Sequence, residues 1–159
     1  MNQGMEYLWH YQTAIGGIGI LERERRITNL FFETDPVPGG AAVEETELLR
    51  EAGRQLQEYL LGRRKAFELP LAPSGTAFMR RVWDCLTEIP YGATRSYREV
   101  AASAGNGKAC RAVGLANHRN PIPVFIPCHR VIGANGGLTG YRGGLAVKSF
   151  LLELERGHF

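Results

Sequence analysis

Residues 7–17 and 18–32 each carry alternating or β-rich residues, the pattern of strands, with Gly16, Gly17 and Gly19 as punctuation. The two runs predict a hairpin. Residues 34–42, with Pro36, Pro38, Gly39 and Gly40, predict a loop. The period then lengthens. Leu48, Leu49, Ala52, Leu56, Tyr59 and Leu60 recur at helical spacing, so residues 44–64 are predicted helical, with acids early and Arg63, Arg64 and Lys65 late, as the helix dipole favours.

Past Pro70 and Pro73, in a linker over residues 68–74, the pattern is helical. Residues 76–89 carry the stripe Phe78, Val82, Cys85, Leu86 and Ile89, which places Cys85 on the core face, and Pro90 ends the helix. Ser96-Tyr97-Arg98-Glu99 is a capping box that opens a helix to about Ser103. Residues 104–107 break it, and residues 108–118 form a second helix that stops before Asn120-Pro121. Such a pair, joined by a glycine-containing turn, predicts a helix-turn-helix. Glycine-rich residues 133–137 and 140–144 frame a loop before a last helix, residues 145–156, with the stripe Val147, Phe150, Leu151 and Leu154. Glu155 lies at the edge of that stripe and Glu153 points away. The fold class is therefore α+β, with a small N-terminal sheet-plus-helix domain and its linker (residues 1–70) before a mainly helical C-terminal domain (residues 71–159) containing the helix-turn-helix.

Composition narrows the class. With 159 residues, 44% hydrophobic and 22% charged, the chain has the makeup of a globular domain or two small ones. No apolar run approaches the roughly 20 residues of a membrane span, and the first residues lack the basic-then-apolar order of a leader, so a cytoplasmic protein with no membrane partner is expected. Three cysteines, Cys85, Cys110 and Cys128, are odd in number and widely spaced, which fits reduced thiols. The net charge of +3 is unevenly distributed: residues 1–70 hold 8 basic and 11 acidic residues, whereas residues 71–159 hold 11 and 5. A basic second half faces an anion, though a charge excess alone is more often a solvated face than a nucleic-acid site.

The candidate chemistry lies in Ile126-Pro127-Cys128-His129-Arg130-Val131, where a thiol, an imidazole and a guanidinium stand in an otherwise apolar run. A free thiol, of pKa about 8.5, is only a few per cent thiolate at neutral pH, so a nucleophilic Cys128 needs a nearby positive charge, for which His129 and Arg130 are the candidates. Most free cysteines are simply core residues, but these neighbours favour the nucleophile. Adjacent side chains of an extended segment face opposite ways, so either the chain kinks there or a water bridges Cys128 and His129. A partly buried Glu155 needs a partner, and His129 is the natural one. The helix over 108–118 is lined with Ala109, Ala112, Gly114 and Ala116, and Arg111 is its long probe; this surface suits either tight packing or a narrow groove. Two other uses of the same residues stay open: a lesion-binding protein without chemistry, and a cysteine hydrolase.

Ile-Pro-Cys-His-Arg-Val at 126–131, Arg-Ala-Val-Gly at 111–114, Asn120-Pro121 and Gly-Gly-Leu-Ala-Val-Lys at 143–148 together closely resemble the O6-alkylguanine-DNA alkyltransferases, over about residues 76–156. The resemblance implies a suicide reagent that moves a methyl or other alkyl group from guanine O6 in double-stranded DNA to Cys128, once and irreversibly. By the same resemblance His129 activates Cys128 through a water, Glu155 orients His129, and Asn120 is a hinge. Tyr97 contacts the phosphate and protonates the departing guanine, while Arg111 fills the gap left by the flipped base. Ala109, Ala112, Gly114 and Arg130 are the further DNA-binding residues, and the second helix enters the minor groove. Val131, Tyr141 and Gly143 line the base pocket, and the backbone near Cys128 and Val131 reads the guanine edge. The expected protein is a monomer with no cofactor and no metal, since no cysteine precedes Cys85. It is nucleoid-associated if bacterial. By the same resemblance Asn117 stands at a helix position, three before Asn120, where an apolar residue is an alternative within the family.

Overall fold

The alternating N-terminal segment forms three antiparallel strands rather than two in the computed structural model, which describes residues 4–157: β1 (Glu6–Thr13), β2 (Gly16–Arg23) and β3 (Arg26–Phe31). The predicted second strand is broken by a turn at Glu24 and Arg25, both with positive φ (53° and 62°). Neither residue is Gly or Asn, so the usual hairpin signal is missing. A short β4 (Ala42–Val43), at the end of the predicted loop, pairs parallel with β1, giving the order β3-β2-β1-β4. β2 is central and buried through most of its length, which is why it reads as a nearly continuous apolar run.

Helix α1 (Glu47–Leu60) packs on β1 and β2. It is shorter than the predicted 44–64. Thr46 caps it by accepting a hydrogen bond from the Leu49 amide, and the basic residues 63–65 lie beyond its end. Gly53 faces the Tyr11 ring so closely that a Cβ there would sit 2.6 Å from Tyr11 Cζ. The sequence boundary after Pro70 falls early. Ile27 donates to Pro70 O and Ala72 donates to Ile27 O, both at 2.8 Å, so this stretch is still paired with β3. The first compact unit accordingly runs through Pro73 and the second starts at Ser74.

In the second unit α2 (Ala77–Thr87) is followed by β5 (Arg95–Ser96), α3 (Tyr97–Ser103), α4 (Cys110–His118), a 3-10 turn (Cys128–Arg130), β6 (Val131–Ile132) and α5 (Leu145–Arg156). The predicted capping box is present: Ser96 accepts from the Glu99 amide and Glu99 accepts from the Ser96 amide. The α2 stripe is shifted from the predicted one. Trp83 is fully in the core and donates its indole N–H to Ala116 O at 2.9 Å, tying α2 to α4, whereas Cys85 is only half-buried. β5 and β6 pair in parallel, Arg95 opposite Val131, and this pairing positions the site: β5 leads straight into Tyr97, and β6 follows straight from the Cys128 turn. Among the described residues no helix is long and apolar enough to cross a membrane.

Candidate active site

Three prolines and one asparagine build the segment that carries Cys128. Asn120 Oδ1 accepts from the Ile122 amide at 2.9 Å and its Nδ2 donates to Ile126 O at 2.8 Å, so one buried side chain folds residues 122–126 back on themselves. Val124 at the apex has φ of 73°, an arrangement a β-branched residue holds only when its surroundings impose it. Pro127 then turns the chain into the 3-10 turn. The chain therefore kinks at Cys128 rather than running on as an extended segment.

Glu155 is the charged centre behind that turn. Its carboxylate accepts from His129 Nε2 at 2.7 Å, from Arg130 Nε at 2.8 Å and Nη2 at 2.9 Å, and from the Gly92 amide at 3.1 Å. Because a carboxylate only accepts, the shared proton sits on His129 Nε2, and any proton arriving from Cys128 must reach Nδ1. Burial is the main cause that lowers the His129 pKa; Glu155 opposes it, while Arg130 and Lys148 add to it. Burial thus favours the neutral form of the imidazole. Arg130 was expected on DNA. Instead its side chain is buried, paired with Glu155, donating to Ile89 O at 2.7 Å and lying over the Tyr91 ring.

Cys128 is also buried, and burial pushes its thiol pKa up. This corrects the expectation of an activated thiolate beside His129 and Arg130: the opposing influences are the Asn120 hydrogen bond and the charges of Arg142 and Lys148. Lys148 is 0% exposed. Its ammonium donates to Val131 O at 2.8 Å and lies 3.3 Å from Thr139 Oγ1, which in turn is hydrogen-bonded to the Tyr97 hydroxyl. A line of polar groups thus runs from a buried cation near Cys128 to Tyr97. Desolvation lowers the Lys148 pKa, and the Cys128 thiolate is the influence that raises it.

The cavity at Cys128 is lined by Asn117, His118, Asn120, Pro123, Gly140, Tyr141 and Arg142 and holds about 10 Å³, barely one water. Arg142 closes it by donating to Asn120 O at 2.9 Å. Of the three residues expected to line a base pocket, Tyr141 lines this cavity and Val131 and Gly143 do not. Among the described residues no group of three His, Cys, Asp or Glu side chains converges on a metal position.

Two family profiles match consecutive parts of the chain: "6-O-methylguanine DNA methyltransferase, ribonuclease-like domain" over residues 7–73 and "6-O-methylguanine DNA methyltransferase, DNA binding domain" over residues 77–157. The chain belongs to the 6-O-methylguanine DNA methyltransferase family. It is 50% identical over 159 residues, covering 96% of each chain, to the Bacillus subtilis protein called methylated-DNA–protein-cysteine methyltransferase, constitutive. A Methanosarcina acetivorans methylated-DNA–protein-cysteine methyltransferase is 61% identical over 113 residues, 71% of this chain and 72% of its own. The fold matches that of Mycobacterium tuberculosis OGT, solved in complex with DNA, with a TM-score of 0.90 and 41% identity over 95% of this chain and 93% of that one.

Within the part that matches this family's DNA-binding domain, α4 shows a distinctive outer face. Arg111, Ala112, Leu115, His118 and Arg119 are exposed, and Ala109 and Gly114 are half-exposed. A Cβ on Gly114 would meet only Tyr97 Cε1, at 4.0 Å, so no tight protein packing accounts for this glycine. Lys148, Thr139 and Arg142 were missed as site residues. The signal for Lys148 was a spacing: it stands seven residues before Glu155, with Leu151 and Leu152 between, at helical intervals. The observed buried face of α5 is Lys148, Leu151, Leu152, Leu154 and Glu155, so Glu155 lies on the buried face rather than at its edge.

Proposed function

We propose that this protein repairs alkylated DNA by moving the alkyl group from guanine O6 to Cys128 in one irreversible turnover. The observation that carries the reading is the buried row of Cys128, neutral His129 and Glu155 in a chain whose relatives are named cysteine methyltransferases. The α3–α4 pair acts as a helix-turn-helix that lays α4 in the minor groove, about 6 Å wide, where Ala112 and Gly114 leave room for the backbone walls. Arg111 enters the stack as the damaged base leaves it, and unstacking costs a few kcal/mol, least for a damaged base. The closed cavity admits no base, so Tyr141 and Arg142 must move aside first.

With the base seated, Sγ gives its proton through a water to His129 Nδ1 and attacks the alkyl carbon in line. The carbon–O6 bond breaks and the electrons pass to the purine ring. Tyr97 supplies a proton to the departing base, and a positioned acid of this kind contributes typically 10²- to 10⁴-fold. The phenolate left behind is stabilised through Thr139 by Lys148. The thioether has no route back, so the protein acts once, as a monomer, in the cytoplasm or on the nucleoid of a bacterium. Radiolabelled methyl carried on duplex O6-methylguanine should end on the peptide holding Cys128. Label released as methanol would show a hydrolase, and label remaining on DNA would show a binder.

A further inference from the structure

Thr139 stands in the glycine-rich loop between β6 and α5, half-buried, with its hydroxyl held between a residue of α5 and a residue of α3. From α5, Lys148 Nζ lies 3.3 Å from Thr139 Oγ1, 3.4 Å from Thr139 O and 2.8 Å from Val131 O, so one buried ammonium ties the loop to β6. From α3, the hydroxyl of Tyr97, the first residue of that helix, is hydrogen-bonded to the same Thr139 Oγ1. The methyl is placed as well: it faces Gly133, where an added Cβ would meet Thr139 Cγ2 at 3.6 Å. A β-branched side chain is stiff at χ1, so fixing the methyl fixes the hydroxyl.

An ammonium has no lone pair, so Thr139 Oγ1 accepts from Lys148, and the charge polarises the Thr139 O–H into a stronger donor towards Tyr97. A tyrosine oxygen that accepts from Thr139 has its own proton turned away from the loop. Resting on the reading above that Tyr97 protonates the departing base, we propose that Thr139 is a positioning residue for that step: its hydroxyl aims the Tyr97 proton outward and then donates to the phenolate as it forms. In the transfer the Tyr97 O–H bond breaks, the proton goes to the purine anion released from the alkyl carbon, and the electron pair stays on the tyrosine oxygen. No proton leaves Thr139 or Lys148. The bond from Thr139 strengthens as negative charge develops, so it stabilises the transition state more than the resting protein. Lys148 keeps its bonds to Val131 O and Thr139 O when the hydroxyl is removed, which makes the hydroxyl separable from the cation behind it.

The test is single-turnover transfer from duplex O6-methylguanine by the wild type, Thr139→Val, Thr139→Ser, Tyr97→Phe and the double variant with Tyr97→Phe and Thr139→Val, with DNA affinity measured alongside. Valine keeps the shape and the methyl group but not the hydroxyl. Thr139→Val should slow the transfer step at saturating DNA by about 10- to 100-fold, the worth of one hydrogen bond to a charged group, while DNA affinity stays within about 3-fold. Thr139→Ser should recover most of the rate. In the Tyr97→Phe background there is no phenol to serve, so adding Thr139→Val should slow transfer by less than about 2-fold. Equal slowing by Thr139→Val in both backgrounds, or no recovery in Thr139→Ser, would assign Thr139 to loop packing and overturn the inference. So would a Thr139→Val protein as fast as the wild type. Absence of transfer by the wild type would instead overturn the proposed function, and this inference with it.

Discussion

Replacing Glu155 by Gln tests the centre of the site. The carboxylate accepts from His129 Nε2, two nitrogens of Arg130 and the Gly92 amide, all on the inner side of α5. A glutamine offers one oxygen and an NH₂ group, and the NH₂ must face one of these donors. The Arg130 guanidinium then stays buried without its counter-charge. Breaking a buried pair by removing one partner costs about 3–5 kcal/mol. For a chain of this size each kcal/mol moves Tm by about 2–4 °C, so calorimetry should show a fall of about 6–20 °C. Glu153, whose contact to Arg156 at 3.5 Å is exposed on both sides, is the control, and Glu153→Gln should change stability by no more than about 0.5 kcal/mol. Adding Arg130→Met to Glu155→Gln removes the stranded charge, so it should recover much of the stability while transfer stays slow, because His129 still lacks its carboxylate. A Tm for Glu155→Gln within about 2 °C of the wild type, or equal to that of Glu153→Gln, would refute the argument.

Cys128→Ala should abolish alkyl acceptance and keep DNA binding, whereas Cys85→Ala and Cys110→Ala should still transfer; alkyl found on either of those thiols by peptide mapping would reassign the nucleophile. Arg111→Ala should slow transfer from duplex DNA far more than from free O6-methylguanine, and DNA affinity should weaken with salt as phosphate contacts release counterions. Because burial holds the folded His129 pKa below its ordinary value of 6.5, the unfolded chain takes the proton first as pH falls. Stability should therefore drop below about pH 6.5, by up to about 1.4 kcal/mol per unit, and His129→Phe should flatten that slope in denaturant titrations. Methylated Cys128 should melt about 2–12 °C lower than the free protein, since a cavity of about 10 Å³ cannot take a methyl group without strain of about 1–3 kcal/mol.

The sequence carried more of the helical unit than of the sheet. Capping boxes and prolines are local signals, so Ser96-x-x-Glu99 and Pro90 marked their boundaries directly. The turn at Glu24 and Arg25 holds two left-handed residues with no Gly or Asn, and tertiary context alone fixes it. On α5 the apolar pattern misled by one position, because two of the buried residues, Lys148 and Glu155, are charged and register as surface on any hydropathy count. Motif adjacency misled in another way: Arg130, next to the nucleophile in sequence, turns inward to Glu155, while the cations that act on Cys128 come from residues 142 and 148. No pattern in one dimension reports which side of a 3-10 turn a side chain takes.

A thiol whose pKa is raised by burial looks ill-suited to nucleophilic attack, yet the proposed chemistry gives it a purpose. A protein consumed by one alkylation is lost to any small electrophile that reaches Sγ first, and the thiolate is the form that reacts. In the free protein Cys128 is buried, mostly protonated, and shut behind Tyr141 and Arg142, with Arg142 fastened to Asn120 O. On the proposed reading, entry of a base displaces those two side chains and opens a path for water to His129 Nδ1. Lys148 stays in place to favour the anion as it forms. On that reading activation is coupled to the arrival of the substrate, and the same burial that raises the resting pKa strengthens the Lys148 attraction once the proton has gone.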